Sequence, residues 1–487
     1  MSSPFSFGGV NLDASPGSSP ARAATVPDTP FRIALLGDFS GRESRGLFET
    51  GRALAARRPV MVDRDNYDDV LARMNVEIEM PVAGAIRFRD IDDFHPDRLY
   101  ADLELFQRLK EAAEALPLSA KPPTRARAEE PKEPPVATFD SFLDAAVEKT
   151  VSGRDAEVRK PKDAFREWVD SKVEPHLEKP ADRGRADAEA LIAETAAAQM
   201  RAILHYPLFQ RIEAAWRSLF FLVRRVETSP TLKIYLVDVS KPELLRDLSA
   251  AGDVRQSGIH KLLAESFTDE AWAVLAGLYS FGAAENDLPL LERLGMMAQT
   301  LGAPFLAAAD SRLIGCRSVA ATPDPDDWRD AIDPNWRALR RSPGAASVGL
   351  ALPRFLLRLP YGRDNEPCDA FDFAEMGERP EHDRYLWGNP SVLAACLLAE
   401  SFADSGWEFE PNQRLRADGL PLHIYREGGE DVSKPCAEVL LTERAADRIL
   451  EQGIMPLVAY RDAGTAKLLR FQSIAEPPQP LAAWWNQ

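Results

Sequence analysis

The sequence predicts an α/β protein, mixed α+β in detail, in which a small unit docks on a larger α/β unit with mixed sheets. Two observations carry that reading. Short apolar runs closed by glycine or acid alternate with stretches of helical periodicity, the pattern of a sheet covered by helices. A stretch of prolines and mixed charges, LSAKPPTRARAEEPKEPP, interrupts the chain after its first compact part. The 487 residues also exceed what one hydrophobic core usually supports.

Taken in order, residues 1–30 are rich in Ser, Pro, Gly and Ala and are expected to form a flexible arm. The small unit spans 31–117. Phe31 to Leu36 (FRIALL), closed by Gly37, reads as a buried strand, and Val76 to Pro81 and Ala85 to Phe88 read as further strands. Asp97 to Leu116 places Leu99, Leu103, Phe106 and Leu109 on one helical face, which needs a partner to cover it. Residues 118–137 are the linker. Residues 138–203 form a charged helical segment that opens on an amphipathic stretch, Thr138 to Ser152.

The large unit spans 204–487. Phe209, Ile212, Trp216, Leu219 and Val223 recur at helical spacing, so Pro207 to Arg225 is predicted helical with one broad apolar face. A strand at Leu232 to Val237 leads into Ser240, with Glu243 three residues later, the spacing of a capping box. Ala273 to Tyr279 and Pro304 to Ala308 read as strands, and Asp287 to Leu301 and Pro390 to Ser405 as helices. No internal repeat is visible.

Composition narrows the function. A net charge of -17 argues against nucleic acid, whose binding relies on clustered Lys and Arg. No apolar run reaches the length of a membrane helix and the first twenty residues lack signal-peptide character, so a cytoplasmic protein without membrane contact is expected. Cys316, Cys368, Cys396 and Cys436 form no CxxC pair and are expected to be reduced thiols.

Four constellations could carry chemistry. The loop Gly37 to Arg42 (GDFSGR) follows a strand as phosphate cradles do, but its glycines are too close and no Lys-Ser/Thr follows, so a tight turn is expected. Asp63, Asp65, Asn66, Asp68 and Asp69 could attract Mg²⁺ or Ca²⁺; they fit better as a helix start capped by Asp65 or Asn66 with acids in its first turn. His95, His176, His205, His260, His382 and His423 are never paired at i, i+3 or i+4, and neither HExxH nor GxSxG occurs. Arg354 and Arg358 interrupt an apolar run, where arginine either binds an anion or pairs with a buried carboxylate; Asp372 and Glu375 could supply it. These readings name no catalytic residue, metal site or cofactor site and point away from an enzyme.

Several long segments, in order, resemble one family. FRIALLGDFSGR (31–42), RPVMVDRDNYDDVL (58–71) and IRFRDIDDFHPDRLY (86–100) resemble the small subunit, TssB or VipA, of the type VI secretion contractile sheath. Residues 204–223 and 228–248, VGLALPRFLLRLPYG (348–362), Phe371 to Glu375 and YLWGN (385–389) resemble its large subunit, TssC or VipB. The resemblance implies a structural, cofactor-free protein: two subunits in one chain, stacking into a tube around Hcp and dismantled by the AAA+ unfoldase ClpV. It further implies an unfoldase-binding helix at Phe139 to Val151, with Phe142, Leu143, Ala146 and Val147 as its docking face. The matches stop near Leu116 and Ala475, short of the family's own subunit ends, and a GDYEF-like segment appears only as GLYSF (277–281). Ordinary mesh formation and Hcp contact therefore do not follow, and a specialised, non-propagating sheath element is expected. The alternatives are a soluble adaptor or regulator of sheath assembly that binds the unfoldase, and an enzyme with an unrecognised metal or anion site.

Overall fold

Phe31–Gly37 (β1) is buried at all seven positions, and a strand with no exposed face needs neighbours on both edges and a layer on both sides. A computed structural model, describing residues 29–81, 83–115, 181–267, 271–377 and 379–486, supplies them. β1 pairs in parallel with β5 (Leu232–Asp238) over its whole length and with β6 (Val274–Phe281) on its other edge. The strand that opens the N-terminal block thus lies inside the sheet of the C-terminal block.

That sheet has nine strands. Besides these it contains β2 (Val60–Val62), β7 (Phe305–Ala309), β8 (Val348–Leu352), β11 (Arg416–Ala417), β14 (Ile454–Ala459) and β15 (Ala466–Leu468), in the order β11-β15-β14-β8-β7-β6-β1-β5-β2. The central run from β14 to β5 is parallel, and β2, β15 and β11 add antiparallel strands at the two edges. The mixed α/β class expected from the sequence is the one observed. Three two-stranded pairs stand outside this sheet: β3 (Val76–Met80) with β4 (Gly84–Phe88), β9 (Phe355–Leu356) with β10 (Trp387–Gly388), and β12 (His423–Glu427) with β13 (Glu430–Lys434).

Alternation along β1 divides the core in two. Phe31, Ile33 and Leu35 face the helices Pro207–Arg225 and Pro390–Ser405, whereas Ala34 and Leu36 face Lys241–Ala250, Gly258–Ala264 and Asp287–Leu301. Pro207–Arg225 starts with proline at its first helical position and buries Phe209, Ile212, Trp216, Leu219 and Val223, the stripe read from the sequence. Pro390–Ser405 is apolar nearly all round because it lies across the middle of the sheet.

The helix expected over 97–116 is two helices, Pro96–Asp102 and Glu104–Glu114. Leu103 is extended between them, which brings Leu105 into the core beside Leu99, Phe106 and Leu109.

The C-terminal segment passes below the N-terminal ends of the central strands. Trp484 Nε1 donates to the Trp272 carbonyl and Trp485 Nε1 to that of Ala273, each at 2.8 Å. Trp407, stacked on Phe31 and in contact with Trp484, donates to the Thr29 carbonyl.

Candidate functional site

The seam between the two sequence blocks is where the functional side chains converge. Its apolar part is aromatic. Trp216, fully buried, meets Phe39 and Tyr67 edge-on; its Nε1 donates to the Phe39 carbonyl at 2.8 Å, and Tyr67 Oη donates to the Trp216 carbonyl at 2.9 Å. Phe209 packs against Phe88 and Phe94 in the same way. Burying Trp216 alone removes about 150–250 Å² from water, roughly 4–6 kcal/mol.

At the C-terminal ends of β1 and β5 the seam is polar. The Asp238 carboxylate accepts the Phe39 and Ser40 amides and the Ser40 hydroxyl, at 2.8, 3.2 and 2.7 Å. Asp38 accepts the amides of Arg42 and Glu43. The Phe39, Ser40 and Arg42 amides of GDFSGR are therefore held by the chain's own carboxylates and not free for a phosphate, and the loop is the tight turn the spacing suggested. Burial pushes the Asp38 carboxyl up to about 6, helped by the neighbouring Asp238 and opposed by the Glu43 and Arg42 amides. Burial also raises Asp238, against its bonds to Ser40 and Phe39. Next to them Ser240 and Glu243 form the expected capping box. Glu243 also accepts the Glu49 amide and contacts both Arg42 and Arg57, tying the N-terminal block to the helix Lys241–Ala250. Gly41 fits this turn because its φ is +78° and a Cβ there would lie 2.2 Å from the Glu77 carbonyl oxygen.

The second polar cluster is buried. Arg358 Nε bonds Glu213 at 2.7 Å and its Nη1 bonds Glu375 at 2.7 Å. Arg217 joins through Glu213 and donates to Tyr361 Oη at 2.9 Å. His205 Nε2 lies 3.4 Å from Glu375, in ion-pair range without hydrogen-bond alignment. Burial would raise Glu375, but Arg358, His205 and the Tyr361 amide outweigh it and hold the carboxyl at about 2. His95, from the N-terminal block, packs edge-on against Tyr361 at 4.8 Å, and Asp97 accepts the Asp369 and Ala370 amides.

Of the two candidate carboxylates for the arginines, Glu375 pairs with Arg358. Asp372 does not: it binds the exposed Arg363, while Arg354 pairs with Glu438 at 2.6 Å. Sequence reasoning missed Glu213. An acid on the buried stripe of Pro207–Arg225, four residues before Arg217, was the available signal.

In the aspartate cluster, Asp68 and Asp69 do lie in the first turn of the helix Tyr67–Arg73, but neither Asp65 nor Asn66 caps it through its side chain. Asp63 instead closes the turn that precedes the helix: its carboxylate accepts the Asp65 and Asn66 amides, and Asn66 Oδ1 in turn accepts the Asp63 amide. Among the described residues no group of three or more His, Cys, Asp or Glu is placed to hold a metal ion, and no helix is long and apolar enough to cross a membrane. His382 is beside Lys434 and Glu438, and His423 bonds Tyr385 Oη at 2.7 Å. The four cysteines are free thiols. Phe142, Leu143, Ala146 and Val147, with the linker before them, fall outside the described residues.

Comparison with known proteins gives this seam its context. Residues 188–475, more than half of the chain, match the VipB family, described as the EvpB tail sheath N-terminal domain. The chain belongs to the VipB tail sheath family. Residues 21–122 match a second family, VipA of the type VI secretion system. The type VI secretion system sheath protein TssC1 of Pseudomonas aeruginosa is 32% identical over 301 residues, 58% of this chain and 59% of that protein. The chain thus spans about three-fifths of that relative's length. β1, Ser40 and His95 lie within the VipA match, and β5, Asp238, Trp216 and Tyr361 within the VipB match, so the seam joins the two families' regions.

Proposed function

We propose that this chain is a structural element of a type VI secretion contractile sheath, carrying the small-subunit and large-subunit parts in one polypeptide. The observation that carries the proposal is the insertion of β1 between β5 and β6: the VipA-like and VipB-like regions share one sheet. A covalent link fixes their ratio at one to one and raises the effective concentration of each for the other. The product of such a protein is shape, not catalysis. Its polar seam supports that reading, because the candidate anion-binding amides and the buried arginine are bonded to carboxylates of the same chain.

The partners in this reading are further copies or separate sheath subunits in the cytoplasm, with no cofactor. Recognition by the AAA+ unfoldase ClpV, through Phe142, Leu143, Ala146 and Val147, belongs to the same proposal. Electron microscopy of the purified chain, alone and mixed with separate sheath subunits, tests it. A non-propagating element decorates or terminates tubes formed by the others, and long tubes from the chain alone contradict that version. Failure to associate with sheath subunits under any condition contradicts the structural role itself. For the unfoldase, deleting residues 139–151 is expected to abolish capture by ClpV, and undiminished capture counts against the assignment.

A further inference from the structure

Where β13 ends, three segments meet: the chain from Lys434 to Glu438, the residues around β9, and the short helical turn His382–Arg384. Glu438, His382 and Lys434 stand there in a line. Glu438 Oε1 lies 3.2 Å from His382 Nε2, and His382 Nδ1 lies 3.2 Å from Lys434 Nζ. Burial would raise Glu438, but His382 and Arg354 outweigh it and hold the carboxyl at about 2. An ionised carboxylate only accepts, so it keeps the imidazole proton on Nε2 and leaves Nδ1 bare as an acceptor for the amine. Lys434 Nζ also donates to the Glu438 carbonyl at 3.3 Å.

The amine itself has no carboxylate of its own. Arg354 takes Glu438, through its side chain at 2.6 Å and its amide at 2.8 Å, and among the described residues no acidic oxygen is paired with Lys434. Lys241, by contrast, is held by Asp287. The remaining neighbours of Lys434 Nζ are the rings of Trp387 and Tyr385, 5.5 and 5.7 Å away, and Tyr385 is in turn bonded to His423. Burial pushes the Lys434 ammonium down from its ordinary value, against the attraction of Glu438. Lys434 and His382 are nevertheless partly exposed. In the neutral amine two hydrogens serve His382 and the Glu438 carbonyl, which leaves the lone pair for an electrophile.

We propose that Lys434 is a site of acylation by activated carboxylic acids, acyl phosphates or acyl thioesters, with His382 as its general base and Glu438 holding the imidazole in the tautomer that accepts. The Nζ lone pair attacks the acyl carbon and forms the C–N bond. The C–O bond to phosphate or the C–S bond to thiol breaks, and the leaving group departs as an anion with the bonding pair. The extra proton on nitrogen passes to His382 Nδ1, whose imidazolium faces Glu438, and from there to water. The product is a neutral amide that keeps one N–H. It removes the ammonium charge from beside Trp387 and Tyr385.

The full chain, near neutral pH, is treated with limiting acetyl phosphate in one arm and with S-acetyl-N-acetylcysteamine in the other, and mass spectrometry follows acetylation at each lysine. Lys434 is expected to react about tenfold faster than the exposed Lys261 in at least one arm, and the responsive arm names the donor. In urea that advantage is expected to vanish. His382→Asn keeps a side-chain acceptor for Lys434 but takes up no proton, so it is expected to slow Lys434 about tenfold at an unchanged melting temperature and to leave Lys261 as it was. Equal rates at Lys434 and Lys261 in both arms, a preference that survives unfolding, or an undiminished Lys434 rate in a folded His382→Asn chain overturns the proposal.

Discussion

Ser40 donates its hydroxyl to Asp238 at 2.7 Å across 198 residues of chain, and the Asp238 carboxylate also accepts the Phe39 and Ser40 amides. Replacing Asp238 with alanine leaves those buried amides without a partner, at roughly 1–3 kcal/mol each. The expected loss is about 2–5 kcal/mol in urea unfolding, and a loss under 1 kcal/mol would show that the bond is incidental to the seam.

Asp38 sets a pH dependence of the opposite sign to an ordinary ion-paired acid. Its carboxyl is raised from 3.8 to about 6 in the folded chain, so the folded state holds that proton more tightly than the unfolded state. The associated stability is complete below about pH 3.8 and is lost as pH rises through about 6, amounting to about 3 kcal/mol. Asp38→Asn should therefore gain on the parent chain by up to that amount between about pH 4 and 7. Urea midpoints across that range decide it, and a constant difference refutes it.

Arg358 neutralises two buried carboxylates at once. Arg358→Ala strands Glu213 and Glu375 in the core, and a loss of about 3–5 kcal/mol is expected. Glu375 contributes an acid limb: its stabilisation is present above pH 4.5 and disappears as pH falls through about 2, because its folded value is depressed. Stability of the variant followed by chemical unfolding should lack that limb.

Gly41 and Gly46 both have positive φ, but only Gly41 faces a wall. Gly46→Ala meets nothing within 4 Å and is expected to cost about 1 kcal/mol through backbone strain alone. Gly41→Ala must also displace the Glu77 carbonyl and should cost at least twice as much. Equal melting temperatures for the two variants would disprove the role given to Gly41.

The shared sheet makes the C-terminal block dependent on the N-terminal one. A chain beginning at residue 181 lacks β1 and exposes the facing edges of β5 and β6, and it is expected to be insoluble. Co-expression with residues 29–115 should restore a soluble complex that co-elutes in gel filtration. Solubility of the C-terminal piece alone would argue that β1 is an accessory strand.

Much of the secondary structure was legible because it is written locally. Apolar spacing placed Pro207–Arg225 and Asp287–Leu301 at their observed ends, and Ser240 with Glu243 announced a helix start that the backbone then satisfied. The break at Leu103 was not legible, since a single residue's extended ψ leaves the surrounding helical pattern almost unchanged.

By itself the sequence determined the long helices and the central strands, that Arg358 needs an anion or a carboxylate, and which family the long motifs resemble. Only the tertiary structure decided that β1 lies between strands about 200 and about 240 residues away in sequence, and that Glu213 joins Glu375 on Arg358. The reason is physical. Periodicity reports whether a segment is buried, whereas strand order and buried charge pairing depend on which distant segments supply the burying surface.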